Sequence, residues 1–311
     1  MITTVTLSPC IDKTIILDDF HIDKLNRAKS VRLDPGGKGV NVSLALAALE
    51  VPSRAVGFNF KDGGMITTAL ESAGASPEFI VCPGNIRVNT KIYVQTTCQT
   101  IEINEQNPDI SEKNVTKLVS LIREMAGNIN ERDLFVLSGS IPPVVPSDIY
   151  RTLILEIKEQ NPRALVILDC DGEALLKGLS ASPYMIKPNV EELEHTFGIK
   201  INSDDDITAL CRKIISEYRT GLILVSKGSE GAIAVTKNEV HPFPAMKISA
   251  RSAQGAGDGM VAGACFALSK GLAPSDVIRC GICAAAGAVE REGTAFCERK
   301  RFEELLTEYG K

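Results

Sequence analysis

Along the chain, short runs of β-branched and aliphatic residues alternate with longer stretches whose apolar positions recur every three to four residues. The short runs predict strands over 3–7, 54–58, 133–138, 164–169, 184–187 and 221–226. The longer stretches predict helices over 40–50, 62–73, 112–125, 146–159, 190–197, 204–218, 259–270, 274–289 and 300–309. Several of the strands are apolar almost throughout, as expected where helices cover both faces of a parallel sheet. The alternation predicts an α/β fold, a mainly parallel doubly wound sheet flanked by helices. Ligands of such sheets bind beyond the carboxyl ends of the strands.

Two segments break this rhythm. Runs 14–18 and 29–33 flank a polar turn, and runs 89–95 and 100–104 flank 96–98, with Ile101 and Ile103 on one face. Both predict hairpins outside the main sheet, which together would make a small β-sheet lid. The expected organisation is one domain over 1–311, with lid segments at about 12–34 and 86–105 inserted. No internal repeat or long linker interrupts it.

Composition narrows the function. The 311 residues are 44% hydrophobic and 23% charged, enough for a substantial core. A net charge of −5 and the lack of a Lys/Arg-rich run argue against nucleic-acid binding. The start, MITTVTLSP, has neither a basic nor an apolar leader segment, and the apolar runs 260–268 and 281–289 are about half a membrane span. A cytoplasmic protein without membrane contact is expected, its nine scattered cysteines reduced. Cys280 and Cys283 form a C-x-x-C with no second pair, which predicts packed thiols rather than zinc. His21, His195 and His241 complete no metal or triad pattern.

The chemistry concentrates in two glycine-rich helix starts. In DPGGKGVN (34–41), Gly36, Gly37 and Gly39 let backbone approach a ligand. Lys38 then sits at the positive end of a helix, a conflict that a bound anion relieves. The motif is not a Walker A loop. In QGAGDGM (254–260), Asp258 follows Gly255, Ala256 and Gly257. One reading is a flexible turn with an acid that suits the helix dipole. The other is an anion hole of backbone N–H groups with a proton acceptor beside it. The incomplete G-x-G-x-x-G, so late in the chain, counts against a dinucleotide-binding oxidoreductase. In KPNVEE (187–192), Asn189 and Glu192 have the form of a capping box, or alternatively orient water around Mg²⁺. SKGSEG (226–231) separates two strand-like runs, and Ser138 ends an apolar strand at the ligand-binding edge.

Taken together, TLSPCIDKT (6–14), DPGGKGVN, IEINEQNP (101–108), LSGSIPP (137–143), DGEAL (171–175), IKPNVEEL (186–193) and GAGDGMVAG (255–263) resemble the ribokinase-type (PfkB) sugar kinases. Within that family they are similar to the branch that phosphorylates ketohexose monophosphates. The resemblance implies ATP and Mg²⁺ as cofactors and fructose 1-phosphate as acceptor, with tagatose 6-phosphate as the alternative. It makes Asp258 the general base and Gly255, Ala256 and Gly257 the anion hole. Asp12, Gly36, Gly37 and Asn41 then meet the sugar. Lys38, Arg87, Asn89 and Lys91 meet its phosphate, and Ser138 lies with them. The nucleotide falls to Lys187, Asn189, Ser226, Gly228, Gly231 and Gly257, and Mg²⁺ to Glu192 through water. A homodimer through the lid is a further implication. A sugar-phosphate-binding protein without turnover remains the reading of another class. Ile86, Gln254, Gly259 and the charged stretch 290–294 depart from the family pattern.

Overall fold

The computed structural model describes residues 1–128, 133–252, 254–291, 293 and 295–309. Parallel strands with apolar residues on both sides must be covered twice, and they are. In chain order the main sheet takes β1 (Ile2–Thr6), β4 (Ser53–Phe60), β5 (Ser76–Cys82), β8 (Leu134–Ser138), β9 (Leu165–Asp169), β10 (Met185–Ile186), β11 (Leu222–Ser226), β12 (Ala232–Thr236) and β13 (Val240–Phe243). Their spatial order is β13-β12-β11-β10-β9-β8-β1-β4-β5, and only β12 runs against the rest, pairing antiparallel with both β11 and β13.

Side chains that alternate along β8 show how the layers form. Phe135 and Leu137 enter one core, with Ile66, Leu118, Leu153 and Leu175 from the helices α2 (Gly64–Ala73), α3 (Glu112–Gly127), α4 (Ile149–Gln160) and α5 (Gly172–Leu179). Leu134 and Val136 enter the other, against α1 (Lys38–Ala48), α8 (Ala256–Ser269), α9 (Pro274–Val289) and α10 (Arg299–Tyr309). The remaining helices, α6 (Val190–Phe197) and α7 (Asp204–Tyr218), join the first layer through Leu193 and Ile207. The expected doubly wound fold is therefore present.

A separate four-stranded sheet runs β3-β2-β6-β7, from β2 (Cys10–Leu17), β3 (Ser30–Gly36), β6 (Arg87–Val94) and β7 (Gln99–Asn104). The two hairpins are antiparallel and join through the parallel pair β2–β6. Strand β2 starts earlier and β3 ends later than the alternation alone indicates, because Cys10 pairs with Gly36 and Asp12 with Asp34.

Three elements lack a sequence expectation: edge strands β5 and β13, each broken by a proline (Pro77, Pro242), and the eight-residue α5. Four helix starts move by two or three residues: α2 begins at Gly64 rather than 62 and α4 at Ile149 rather than 146. Helix α1 begins at Lys38 rather than 40, and α8 at Ala256 rather than 259, because glycines at 37 and 255 supply the positive φ that opens each. Among the described residues no helix is long and apolar enough to cross a membrane. All nine cysteines are free thiols, and Cys280 and Cys283 are packed inside α9.

Candidate active site

The two glycine-opened helices point their N-termini into one cleft of about 1120 Å³ at the carboxyl ends of the main strands. Gly37 caps α1 at φ 112°, and a Cβ there would stand 2.9 Å from Thr6 Cγ2. Gly255 caps α8 at φ 78°. The N–H groups of Ala256, Gly257 and Asp258 fall in the first turn, without intrahelical acceptors. They are backbone donors one residue along from the Gly255, Ala256 and Gly257 of the expected anion hole.

Asp258 is buried, and Asn41 from α1 donates to its Oδ2 through Nδ2 at 2.8 Å. Burial, reinforced by the Asp169 carboxylate, raises the Asp258 pKa to about 6, against the hydrogen bond from Asn41 and the charges of Lys38 and Lys187. Its carboxylate is therefore a stronger proton acceptor than an exposed aspartate and still ionised near neutrality.

Lys38 Nζ lies 3.3 Å from Asp169 Oδ1 and 3.6 Å from Glu192 Oε1. Burial works against its charge, but Asp169, Glu192 and Asp258 outweigh that and hold its pKa above the usual lysine range. Lys187, also buried, reaches the same Asp169 Oδ1 at 3.4 Å, and its Nζ would meet a Cβ on Gly257 at 3.5 Å. Asp169 thus joins two lysines of the site. Sequence reading placed the strand that carries it but overlooked the residue. The available signal was an acid ending the apolar run LVILD at the sheet's carboxyl edge.

Both readings of Asn189 and Glu192 have geometry behind them. Asn189 Oδ1 accepts from the Glu192 N–H at 2.7 Å, and Glu192 Oε2 accepts from the Asn189 N–H at 2.8 Å, a complete capping box. The other carboxylate oxygen of Glu192 faces Lys38 in the cleft. Among the described residues no three His, Cys, Asp or Glu side chains group to enclose a metal. Glu192 with Asp169 nearby fits Mg²⁺, a hard cation held largely by phosphate oxygens and water. Ser226, Gly228 and Gly231 line the same cleft, but Gly231 also has a packing reason, since a Cβ there would strike Phe243 O. Sequence reading missed the apolar wall of Ile207, Met246, Ile248, Ala285 and Val289, which are distant in sequence and unremarkable singly.

On the four-stranded sheet, parallel register sets Cys10 beside Arg87 and Asp12 beside Asn89. Asn89 Nδ2 donates to Asp12 Oδ1 at 3.1 Å, and Arg87 Nη1 donates to Asn89 Oδ1 at 3.1 Å. Gly36 lets Asp12 lie against the backbone, where a Cβ would be 2.6 Å from Oδ2. Lys91 shares this face but pairs with Glu102 at 3.0 Å, further along the strand. Ser138 is buried at the carboxyl end of β8, beside Asp169 in register, and does not line the cleft.

The departures have local reasons. Ile86 is in the core, its N–H donating to Asp62 Oδ1 at 2.7 Å. Gln254 N–H donates to Ser252 Oγ at 3.1 Å. At Gly259 a Cβ would lie 3.3 Å from Ala284 O, because α9 crosses close there. In the stretch 290–294, Glu290 takes both arms of Arg301 at 2.9 Å and Arg291 pairs with Glu298, so α10 neutralises these charges. Positions 292 and 294 lie outside the described residues.

A family model described as pfkB family carbohydrate kinase matches residues 5–301. The 1-phosphofructokinase of Bacillus subtilis is 34% identical over 98% of this chain and 96% of its own. That of Borreliella burgdorferi is 33% identical over 98% and 96%. The structure of phosphofructokinase-2 from Escherichia coli in complex with potassium is similar at a TM-score of 0.92, with 23% identity over 100% of this chain and 99% of its own.

Proposed function

The chain belongs to the pfkB family of carbohydrate kinases, and we propose from that premise that it phosphorylates fructose 1-phosphate to fructose 1,6-bisphosphate with ATP. That it is a sugar-phosphate kinase follows from the family and its 1-phosphofructokinase relatives. The observation that carries the proposal is the Asn41–Asp258 hydrogen bond, which locks the two glycine-opened helices together with Lys38 and the base in one cleft.

In this reading Asp258 accepts the proton of the attacking sugar hydroxyl, a contribution of about 10²- to 10⁴-fold. The free N–H groups at the start of α8 stabilise charge building on the transferred phosphoryl group. Lys38 and Lys187, held by Asp169, add positive charge on either side. Asp12, on the lid, meets the sugar, and Asn89, bonded to Arg87, lies beside its phosphate. Arg87 takes its phosphate by bidentate hydrogen bonding. The nucleotide base lies against the apolar wall, with Asn189, Ser226 and Gly228 beside its phosphates. Glu192 would hold Mg²⁺ through water, and the ion would supply neutralising charge to the phosphates.

Coupled measurement of ADP release across fructose 1-phosphate, tagatose 6-phosphate and fructose 6-phosphate tests the acceptor. The expected order puts fructose 1-phosphate first in kcat/KM, and a preference for tagatose 6-phosphate replaces the proposal with the alternative. Asp258→Asn should lose about 10²- to 10⁴-fold in kcat with the fold intact. Near-normal turnover in that variant removes Asp258 as the base. A ligand-induced rise in melting temperature with no ADP release for any sugar phosphate would leave a binding protein.

The reading includes a homodimer in the cytoplasm. On the side of the four-stranded sheet opposite Asp12, Val31, Leu33 and Ile103 are 53%, 50% and 55% exposed. A second copy of the same apolar face is a fitting cover.

A further inference from the structure

Resting on the kinase reading above, we propose that Thr6, Ser138 and Asp169 hold a row of buried water that fixes Asp169, and through it Lys38 and Lys187, for phosphoryl transfer. Parallel register places the three side chains side by side at the carboxyl ends of β1, β8 and β9, with Thr6 opposite Ser138 and Ser138 opposite Asp169. All three are almost completely buried, at 2%, 1% and 1% exposure. Among the described residues Thr6 Oγ1, Ser138 Oγ and Asp169 Oδ2 have no hydrogen-bond partner.

Three adjacent orphaned oxygens need an explanation, because each unpaired buried polar group costs stability. Direct bonds between them are not made. Neighbouring strands lie about 4.8 Å apart, and hydroxyl hydrogen bonds span roughly 2.5–3.0 Å. A water between two such oxygens spans about the required distance. The row is roofed by the start of α1. A Cβ on Gly39 would strike Thr6 Oγ1, and Gly139, beside Ser138, would bring a Cβ to 3.7 Å from Lys38 Cβ. The start of α1 thus packs over oxygens that bridging water would satisfy.

The consequence lies in Asp169. Its Oδ1 serves both lysines. Its Oδ2 needs its own donor if the carboxylate is to keep that orientation. Water donated from the row supplies it. Thr6 and Ser138 are then positioning residues. Ser138 acts from beneath Asp169, without touching the sugar phosphate.

The test uses the full-length protein. Thr6→Val and Ser138→Ala each remove a hydroxyl with little change in shape. Each is expected to lower kcat about tenfold, with KM for both substrates held within about twofold. Thr6→Ser keeps the hydroxyl and should keep kcat within about twofold of the parent, which separates loss of water from loss of packing. The double variant should fall no further than the worse single one, since both disrupt one row. A high-resolution crystal structure should show ordered solvent between Thr6 Oγ1, Ser138 Oγ and Asp169 Oδ2. The proposal is overturned by multiplying losses in the double variant, by a parent-like Thr6→Val, or by a map without that solvent. A Ser138→Ala effect on sugar-phosphate KM alone also overturns it, making Ser138 a substrate contact. If the parent turns over no sugar phosphate, the kinase reading fails, and the solvent map still decides the row.

Discussion

Asp258 holds a charge where burial disfavours one, and that conflict sets both its chemistry and its cost. Its pKa of about 6 is pushed up by burial first and Asp169 second. Activity should therefore rise with pH through about 6 and level off, which a profile of kcat/KM will show. The native carboxyl titrates higher than an unfolded one at 3.8. Its contribution to stability is then fully present below pH 3.8 and lost as pH rises through 6. Asp258→Asn should accordingly melt higher than the parent at pH 8, by on the order of 2–3 kcal/mol at most, while losing activity. Equal melting temperatures at pH 8 would contradict the buried-charge account. At this scale much was legible beforehand, since Asp258 and Lys38 announce themselves by glycine neighbours. Asp169 did not, because a strand-ending acid becomes informative only when two lysines from other elements converge on it.

Among the elements, α6 shows how one pair of residues serves structure and site together. The Asn189–Glu192 capping box closes the helix start, and the spare oxygen of Glu192 enters the cleft. Asn189→Ser keeps a side-chain acceptor for the cap but removes the amide. Its melting temperature should stay within about 2 °C of the parent, while KM for ATP rises severalfold. An unchanged KM would leave Asn189 as a cap alone. Helix and strand positions were mostly readable from periodicity because buried faces repeat at 3.6 or 2 residues. The edge strands β5 and β13 were not. Each carries a proline, which an edge tolerates and a central strand does not. The starts of α1 and α8 were placed two or three residues late for the converse reason. A positive-φ glycine begins a helix before any apolar rhythm can show.

For the molecule as a whole, the cleft lies at the main sheet, and the separate four-stranded sheet exposes apolar residues on one face. Leu33→Glu should dissociate the dimer, read as a halving of mass by light scattering, without unfolding the chain, because Leu33 is 50% exposed. A parent that is already monomeric at working concentration removes the dimer. The chain's order of strands, helices and glycine-rich starts determined by itself the layered α/β fold, the two hairpins and the two glycine-opened helix N-termini. Those are local properties, encoded in side-chain period and in backbone freedom. Tertiary structure alone decided that Asn41 bonds Asp258 across 217 residues, that Asp169 holds Lys38 and Lys187, and that Thr6 and Ser138 lie buried beside it. Such contacts depend on strand order and register, and no stretch of sequence states either until the sheet has formed.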